Sequence, residues 1–203
     1  MPVYEYGNLK YRTHPEVYEP SDDTFLLLNN VSVNSGESIL EMGCGSGLVA
    51  VSLAMRGAKV TAVDVNPRAV ELTSGNARLN GISVRTLLSN FFDNVEKEPF
   101  DVVVFNPPYL PTAGDEHLPG HLDKAFDGGE CGNEATLDFV RRLGDWMHVV
   151  GRRPRLYLLF SSLNDADAIS KTVFELGYKT HRVVARESHF FEKLSIHLFE
   201  GEN

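Results

Sequence analysis

Apolar residues in this chain come in short blocks separated by polar and glycine-containing breaks, and their spacing changes from block to block. Residues 38–42 (SILEM), 59–65 (KVTAVDV), 84–88 (VRTLL), 101–105 (DVVVF) and 155–160 (RLYLLF) have strand length and are rich in branched side chains. Residues 47–55, 67–80, 134–150 and 164–176 read as helices. Pro67 stands at the first turn of one of them with Gly81 just past its end, and Gly177 closes the last. A shorter helix over 24–30 follows Ser21, an N-cap residue, with Asp22 and Asp23 opposing the helix dipole. The final strands, 178–186 and 193–199, have no helix between them and predict an antiparallel hairpin. Residues 1–20, polar and aromatic with Pro2, Pro15 and Pro20, predict an irregular arm, and 107–133 a long turn-rich segment. Alternating strands and helices predict an α/β fold, a doubly wound and mostly parallel sheet with helices on both faces. One domain is expected over 1–203, with 1–30 as arm and short helix and 31–203 as core. Such sheets bind ligands beyond the carboxyl ends of their strands, where strand order reverses.

Composition narrows the partners. The 203 residues are 42% hydrophobic and 23% charged, ordinary for a globular chain. A net charge of −9 sets the surface against nucleic-acid phosphates unless a partner supplies a basic face. The longest apolar run, 156–160, is far too short to span a bilayer, and no secretory leader is expected behind the early charges Glu5 and Lys10. Cys44 and Cys131 make neither a disulfide framework nor a four-ligand zinc site, so no metal is expected. A reducing compartment follows, the cytoplasm first and the nucleus second.

The loop Glu41-Met42-Gly43-Cys44-Gly45-Ser46-Gly47 closes one strand and opens a helix. Gly43 and Gly45 permit a tight turn and close approach of a ligand to the backbone. The dinucleotide fingerprint needs a further glycine where Leu48 stands, and Glu41 would repel a pyrophosphate. The same acid suits the cationic aminoacyl end of a ligand. Asp64 ends the next strand, where a carboxylate can accept from both hydroxyls of a ribose. The loop alone is a common strand–helix turn with a solvated acid. Joined to Glu41 and Asp64, it points to an adenosyl ligand without phosphates, foremost S-adenosylmethionine (AdoMet).

Asn106-Pro107-Pro108-Tyr109 follows DVVVF at the carboxyl end of its strand. Two prolines fix φ and remove two N–H donors, so the Asn106 side chain and the Pro107 carbonyl are held as acceptors. Two fixed acceptors beside an aromatic face suit a planar NH₂ group, whose lone pair they can aim at an electrophile. Amide and aromatic amines are poor nucleophiles, so positioning must supply much of the rate. A rigid Asn-Pro turn is the structural alternative.

The glycine loop, Asp64 and the Asn106–Tyr109 turn, in this order over about residues 18–200, resemble the HemK-like, N-methylating class I AdoMet-dependent methyltransferases. Val17-Tyr18-Glu19-Pro20-Ser21-Asp22-Asp23-Thr24, followed by FLLL, is most similar to the eukaryotic and archaeal glutamine methyltransferases of class I release factors. The segment 125–134 (AFDGGECGNE) resembles that group's G-G-x-x-G stretch, and a separate helical domain like that of the bacterial relatives is not expected before residue 18. The resemblance implies a seven-stranded Rossmann-like sheet, AdoMet as cofactor and S-adenosylhomocysteine as product. It implies that Thr24 contacts AdoMet near the first helix, that Glu41, Gly43, Gly45 and Gly47 surround its methionine part, and that Asp64 holds the ribose. Asn90 and Phe91 would flank the adenine. Asn106, at the border of cofactor and substrate, would hold the target amide with Pro107, Pro108 and Tyr109. Where the group has Asp, this chain has Asn90, whose carbonyl still accepts from an adenine amino group but without charge assistance; Asp93 is the substitute. The implied substrate is the glutamine of the Gly-Gly-Gln loop of the release factor. The implied partner is a small zinc-binding activator subunit, forming a heterodimer through the edge strand 83–89, whose Val84, Leu87 and Leu88 put apolar side chains on both faces beside Arg85.

Two other substrate readings, and two readings of a different class, remain at this point. N6-adenine methylation of DNA or RNA fits the turn equally and is opposed by the −9 charge. Lysine methylation fits two acceptors less well, and a non-catalytic subunit of the same fold would show damaged motifs. A dehydrogenase lacks the third glycine. His14, His117 and His121 read as surface residues, His189 and Glu192 as a turn with a solvated acid, Cys44 as a small filler and Trp146 as core. The acids Asp115, Glu116, Asp123, Asp127, Glu130 and Glu134 are either a solvated face or a surface attracting a basic peptide.

Overall fold

The computed structural model describes residues 2–112 and 125–202. Asp115, Glu116, His117, His121 and Asp123, singled out above, lie outside the described residues. The chain opens with β1 (Tyr4–Tyr6) and β2 (Leu9–Tyr11), then α1 (Asp22–Asn30), β3 (Ser38–Met42), α2 (Leu48–Met55), β4 (Lys59–Asp64) and α3 (Pro67–Leu79). It continues through β5 (Arg85–Leu88), β6 (Val102–Phe105), α4 (Glu134–Val150), β7 (Arg155–Ser161), α5 (Ala166–Glu175), β8 (Thr180–Ser188) and β9 (Lys193–Glu200). Among the described residues seven strands form one sheet in the order β5-β4-β3-β6-β7-β9-β8. β3 to β7 are parallel, while β9 runs antiparallel to both β7 and β8. This is the mostly parallel sheet with a terminal antiparallel hairpin that the pattern predicts, and the seven-stranded Rossmann-like sheet that the resemblance implies.

Alternation within the strands splits the core in two. Ile39, Val60, Val102 and Val104 face α1 and α2, whereas Leu40, Val63, Val103 and Leu158 face α4 and α5. Every residue of β6 is buried, as a central parallel strand covered on both faces must be. Between β3 and β6 the connection reverses direction, so the carboxyl ends of β3, β4 and β6 open a crevice.

The first residues depart from the expected irregular arm. β1 and β2 form an antiparallel hairpin with Tyr6 opposite Leu9, and Gly7 takes φ +60 at the first position of the two-residue turn. That positive φ matches the right-handed twist of the strands, so a glycine turn overrides the flanking prolines. Buried Asn76 of α3 and Asn80 just past its end hold this hairpin. Asn76 bonds the backbone of Arg12, and Asn80 the backbone of Lys10 at both its N–H and its carbonyl. Asn76 also donates to the Ser46 carbonyl, so one buried side chain ties arm, helix and glycine loop together. Asn66 adds a bond to the Glu16 carbonyl.

Candidate active site

A cavity of about 530 Å³ occupies the crevice. Its walls come from the glycine loop, the ends of β4 and β6, the start of α1, the segment 16–18 and residues 125–127. Thr24, Glu41, Gly43, Gly45, Asp64, Asn90, Phe91, Asn106, Pro107, Pro108 and Tyr109 all line it. Gly47 does not: it takes φ +77 and backs onto α3, where an added Cβ would lie 2.5 Å from Thr73 Oγ1. Gly45 differs, for a Cβ there would meet nothing within 4 Å. One glycine therefore seats the loop against α3, and the other leaves room beside the cavity.

Asp64 is fixed from its own backbone surroundings. Its two carboxylate oxygens accept from the Gly45 N–H and the Asn66 N–H, both at 2.8 Å. Each carboxylate oxygen accepts more than one bond, so the fixed plane is compatible with a vicinal diol. Glu41 sits deeper. It is 5% exposed, and its Oε2 is buried without a hydrogen-bond partner. Burial pushes this carboxyl well above the usual carboxylate range, nearby Asp64 adds to the shift, and the Ala50 N–H partly opposes it. An orphaned buried carboxyl next to open space is a site for a cation.

Phe91 is the one non-glycine among the described residues with positive φ, at +49. A bulky residue there is strained. Ser89 supports the turn by donating to the Phe91 carbonyl and accepting from the Asn94 N–H. The ring meets Phe105 edge-on, and the Arg142 guanidinium lies 5.5 Å from its centroid. Asn90 is exposed on the cavity rim. Asp93, the suggested substitute for it, is instead 3.2 Å from Arg142 Nη1 and is not part of the cavity wall.

The turn after β6 is held from both sides. Asn106 Nδ2 donates to Asp23 Oδ2 at 2.9 Å, which fixes the amide so that Oδ1 is the free end. That Oδ1 is buried and has no partner. Asp23 is 3% exposed and also accepts from the Thr24 N–H and the Tyr18 hydroxyl. Behind the turn, Asn164 donates to the Tyr109 and Gly132 carbonyls. Gly132 of segment 125–134 is explained here, since a Cβ on it would come within 2.6 Å of the Tyr109 carbonyl. Burial, with Asp23 next in weight, pushes the phenols of Tyr18 and Tyr109 upward, so both stay neutral.

Three wall residues carry more than their sequence reading. Asp23 reads as a helix-dipole acid; it is a buried clamp on Asn106. Glu192 reads as a solvated turn acid; it lines the cavity and accepts from Ser161 Oγ at 2.9 Å. Phe126 packs edge-on against Tyr18 at 5.2 Å. Cys44 is buried, with its thiol pushed up by burial, as a filler requires.

The sheet order, the glycine loop, the acid ending β4 and the acceptor-bearing turn ending β6 define a methyltransferase fold. The methyltransferase small domain family matches residues 9–118, and the chain belongs to that family. A candidate protein N5-glutamine methyltransferase of Methanocaldococcus jannaschii is 38% identical over 96% of this chain and 96% of its own. The Mus musculus methyltransferase HEMK2 is 30% identical over 93% of this chain and 92% of its own. Among solved structures, the E. cuniculi Mtq2–Trm112 complex, described as responsible for methylation of the termination factor eRF1, superposes with a TM-score of 0.72. That match has 25% identity and covers 92% of this chain and 99% of the other.

Proposed function

We propose that this chain transfers a methyl group from AdoMet to the side-chain amide nitrogen of a protein glutamine, in the Gly-Gly-Gln loop of a class I release factor. The observation that carries the reading is the Asn106 amide, locked by Asp23 with an unpartnered acceptor oxygen facing inward. Such an oxygen takes one hydrogen of a planar NH₂ group, and the Pro107 carbonyl is the second acceptor. Bound AdoMet supplies the electrophilic methyl. Glu41 receives its ammonium group, Asp64 its ribose, and Asn90 and Phe91 its adenine, while Thr24 borders it from α1. Neutral Tyr18 and Tyr109 offer no base, and none is required, because the amide proton can leave after transfer. The names of the M. jannaschii and E. cuniculi relatives support glutamine over adenine. So does the wall of the cavity, where the solvent-reached acids Glu16, Asp127 and Glu192 repel a nucleic-acid backbone. The test is radiolabelled AdoMet offered to release factor, duplex DNA and histone side by side. Label on the release-factor glutamine is expected; label on DNA or histone alone overturns the reading.

Glu41 makes ligand binding pH-dependent. Its pKa is raised in the free protein, and a bound ammonium favours the carboxylate. Binding therefore releases a proton below the raised pKa, and affinity for S-adenosylhomocysteine climbs as pH rises to that value, then levels off. Calorimetry in buffers of different ionisation enthalpy should detect the proton, and Glu41→Gln should abolish both the proton and the slope.

The partner reading extends to the sheet edge. β5 is a terminal strand of the sheet, Leu88 is 50% exposed, and Arg85, paired with Glu96 and Glu98, is the single charge within the strand. We propose that a small zinc-binding activator docks here by strand addition; that the E. cuniculi neighbour is a complex of two proteins supports a partner subunit. Leu88→Asp is the suitable probe, because Leu87 packs against the core. Loss of co-purification with the activator is expected, and full yield would refute the docking site.

A further inference from the structure

Phe190 and Phe191 form the tip of the β8–β9 hairpin and are 93% and 88% exposed. Their rings meet edge-on, 4.8 Å apart. Single exposed apolar residues are ordinary, but two adjacent phenylalanines presented to water form a patch with a cost and usually a partner. The register of the sheet says where this patch stands. Ser161 at the carboxyl end of β7 is opposite Leu194, so the tip preceding β9 projects from the same edge of the sheet as the cavity. Glu192, the next residue, is itself a cavity wall.

The backbone beneath the rings is braced. The His189 N–H donates to the Glu192 carbonyl at 2.8 Å, and Ser162 and Lys193 exchange two bonds. His189 Nδ1 lies 3.3 Å from Asp22 Oδ2, on the residue before the Asp23 clamp. Two aromatic side chains are thus offered outward from a fixed support at the rim of the site. Rigid aromatic anchors lose little entropy on binding and dominate protein interfaces.

We propose that Phe190 and Phe191 are a docking element for the protein substrate, engaging an apolar depression beside the segment that enters the cavity. This rests on the reading of a protein as the substrate. Continuity with the cavity mouth selects that occupant. The β5 edge lies at the opposite end of the sheet, so an activator there leaves the tip open. Asp22, Glu187 and Glu192 around the tip, and the net charge of −9, disfavour an anionic lipid surface.

The test is the double variant Phe190→Ser/Phe191→Ser, assayed on intact release factor with the activator present. KM for the release factor should rise about tenfold or more, with kcat at saturation within about twofold. Affinity for AdoMet and melting temperature should not change, and Val149→Ser, an exposed apolar residue on α4, should leave KM alone. If the unaltered enzyme labels release factor and the double variant keeps its KM, the docking proposal falls and the substrate reading stands. If the unaltered enzyme does not label release factor, the substrate reading falls and takes the docking proposal with it. An unaltered enzyme that is dimeric, and becomes monomeric in the double variant at unchanged KM, would assign the tip to self-association and overturn the proposal.

Discussion

Asn106→Ala is expected to reduce methyl transfer by something on the order of 10³-fold while leaving AdoMet affinity within a few-fold. The reasoning follows from which group the side chain serves. Its Nδ2 is spent on Asp23, and its Oδ1 is the buried acceptor with no partner in the folded chain. Removing a preorganised polar group of this kind typically costs about 10²–10³ in turnover. The remaining loss comes from rotational freedom returned to an NH₂ group that is a poor nucleophile unless aimed. The cofactor half of the cavity is built separately, on Glu41, Asp64 and the glycine loop, so cofactor binding should survive. Single-turnover transfer to release factor and calorimetric titration with AdoMet make the comparison. A variant that keeps most of its turnover would show that the turn is only structural.

The parts of this site that were legible in the sequence share one property. Glu41, Asp64 and Asn106 stand at or next to the carboxyl ends of β3, β4 and β6, and the parallel order of those strands brings such ends together. The bounds of β3 were legible too, since SILEM lies between Glu37 and the glycine loop and the strand covers 38–42 as expected, whereas the strand expected over 178–186 runs over 180–188. Asp23 was not legible. Its partner is 83 residues away, and its place in the first turn of α1 already had a sufficient local explanation. Glu192 failed likewise, since nothing in a turn between two strands says that an antiparallel return will set it at the cavity. The β1–β2 hairpin did carry a signal in Gly7-Asn8, set against Pro2, Pro15 and Pro20 in the same polar stretch. The strain at Phe91 has no sequence mark, because a phenylalanine is not an expected residue at φ +49.

Asp23→Asn should be nearly as damaging as loss of Asn106, although it changes one atom. As a carboxylate, Asp23 accepts on both oxygens: Oδ1 from the Thr24 N–H at 2.6 Å, Oδ2 from Asn106 Nδ2 at 2.9 Å and from the Tyr18 hydroxyl at 3.1 Å. An asparagine has only one acceptor oxygen. If that oxygen keeps the Thr24 N–H, the new NH₂ faces the NH₂ of Asn106. The inexpensive relief is for the Asn106 amide to flip, so that its oxygen accepts from residue 23 and its NH₂ turns into the site. Two donor groups would then oppose each other where the target amide must bind. Turnover should fall about 10²-fold or more, the scale of a misdirected catalytic hydrogen bond. A structural role alone would lower the melting temperature and weaken AdoMet binding too; a positioning role should leave both near their original values. The decisive measurement is a double-mutant cycle on turnover. In the Asn106→Ala background Asp23→Asn should cost almost nothing more, because the group it orients is gone. Additive losses would mean that Asp23 acts on the reaction independently of Asn106.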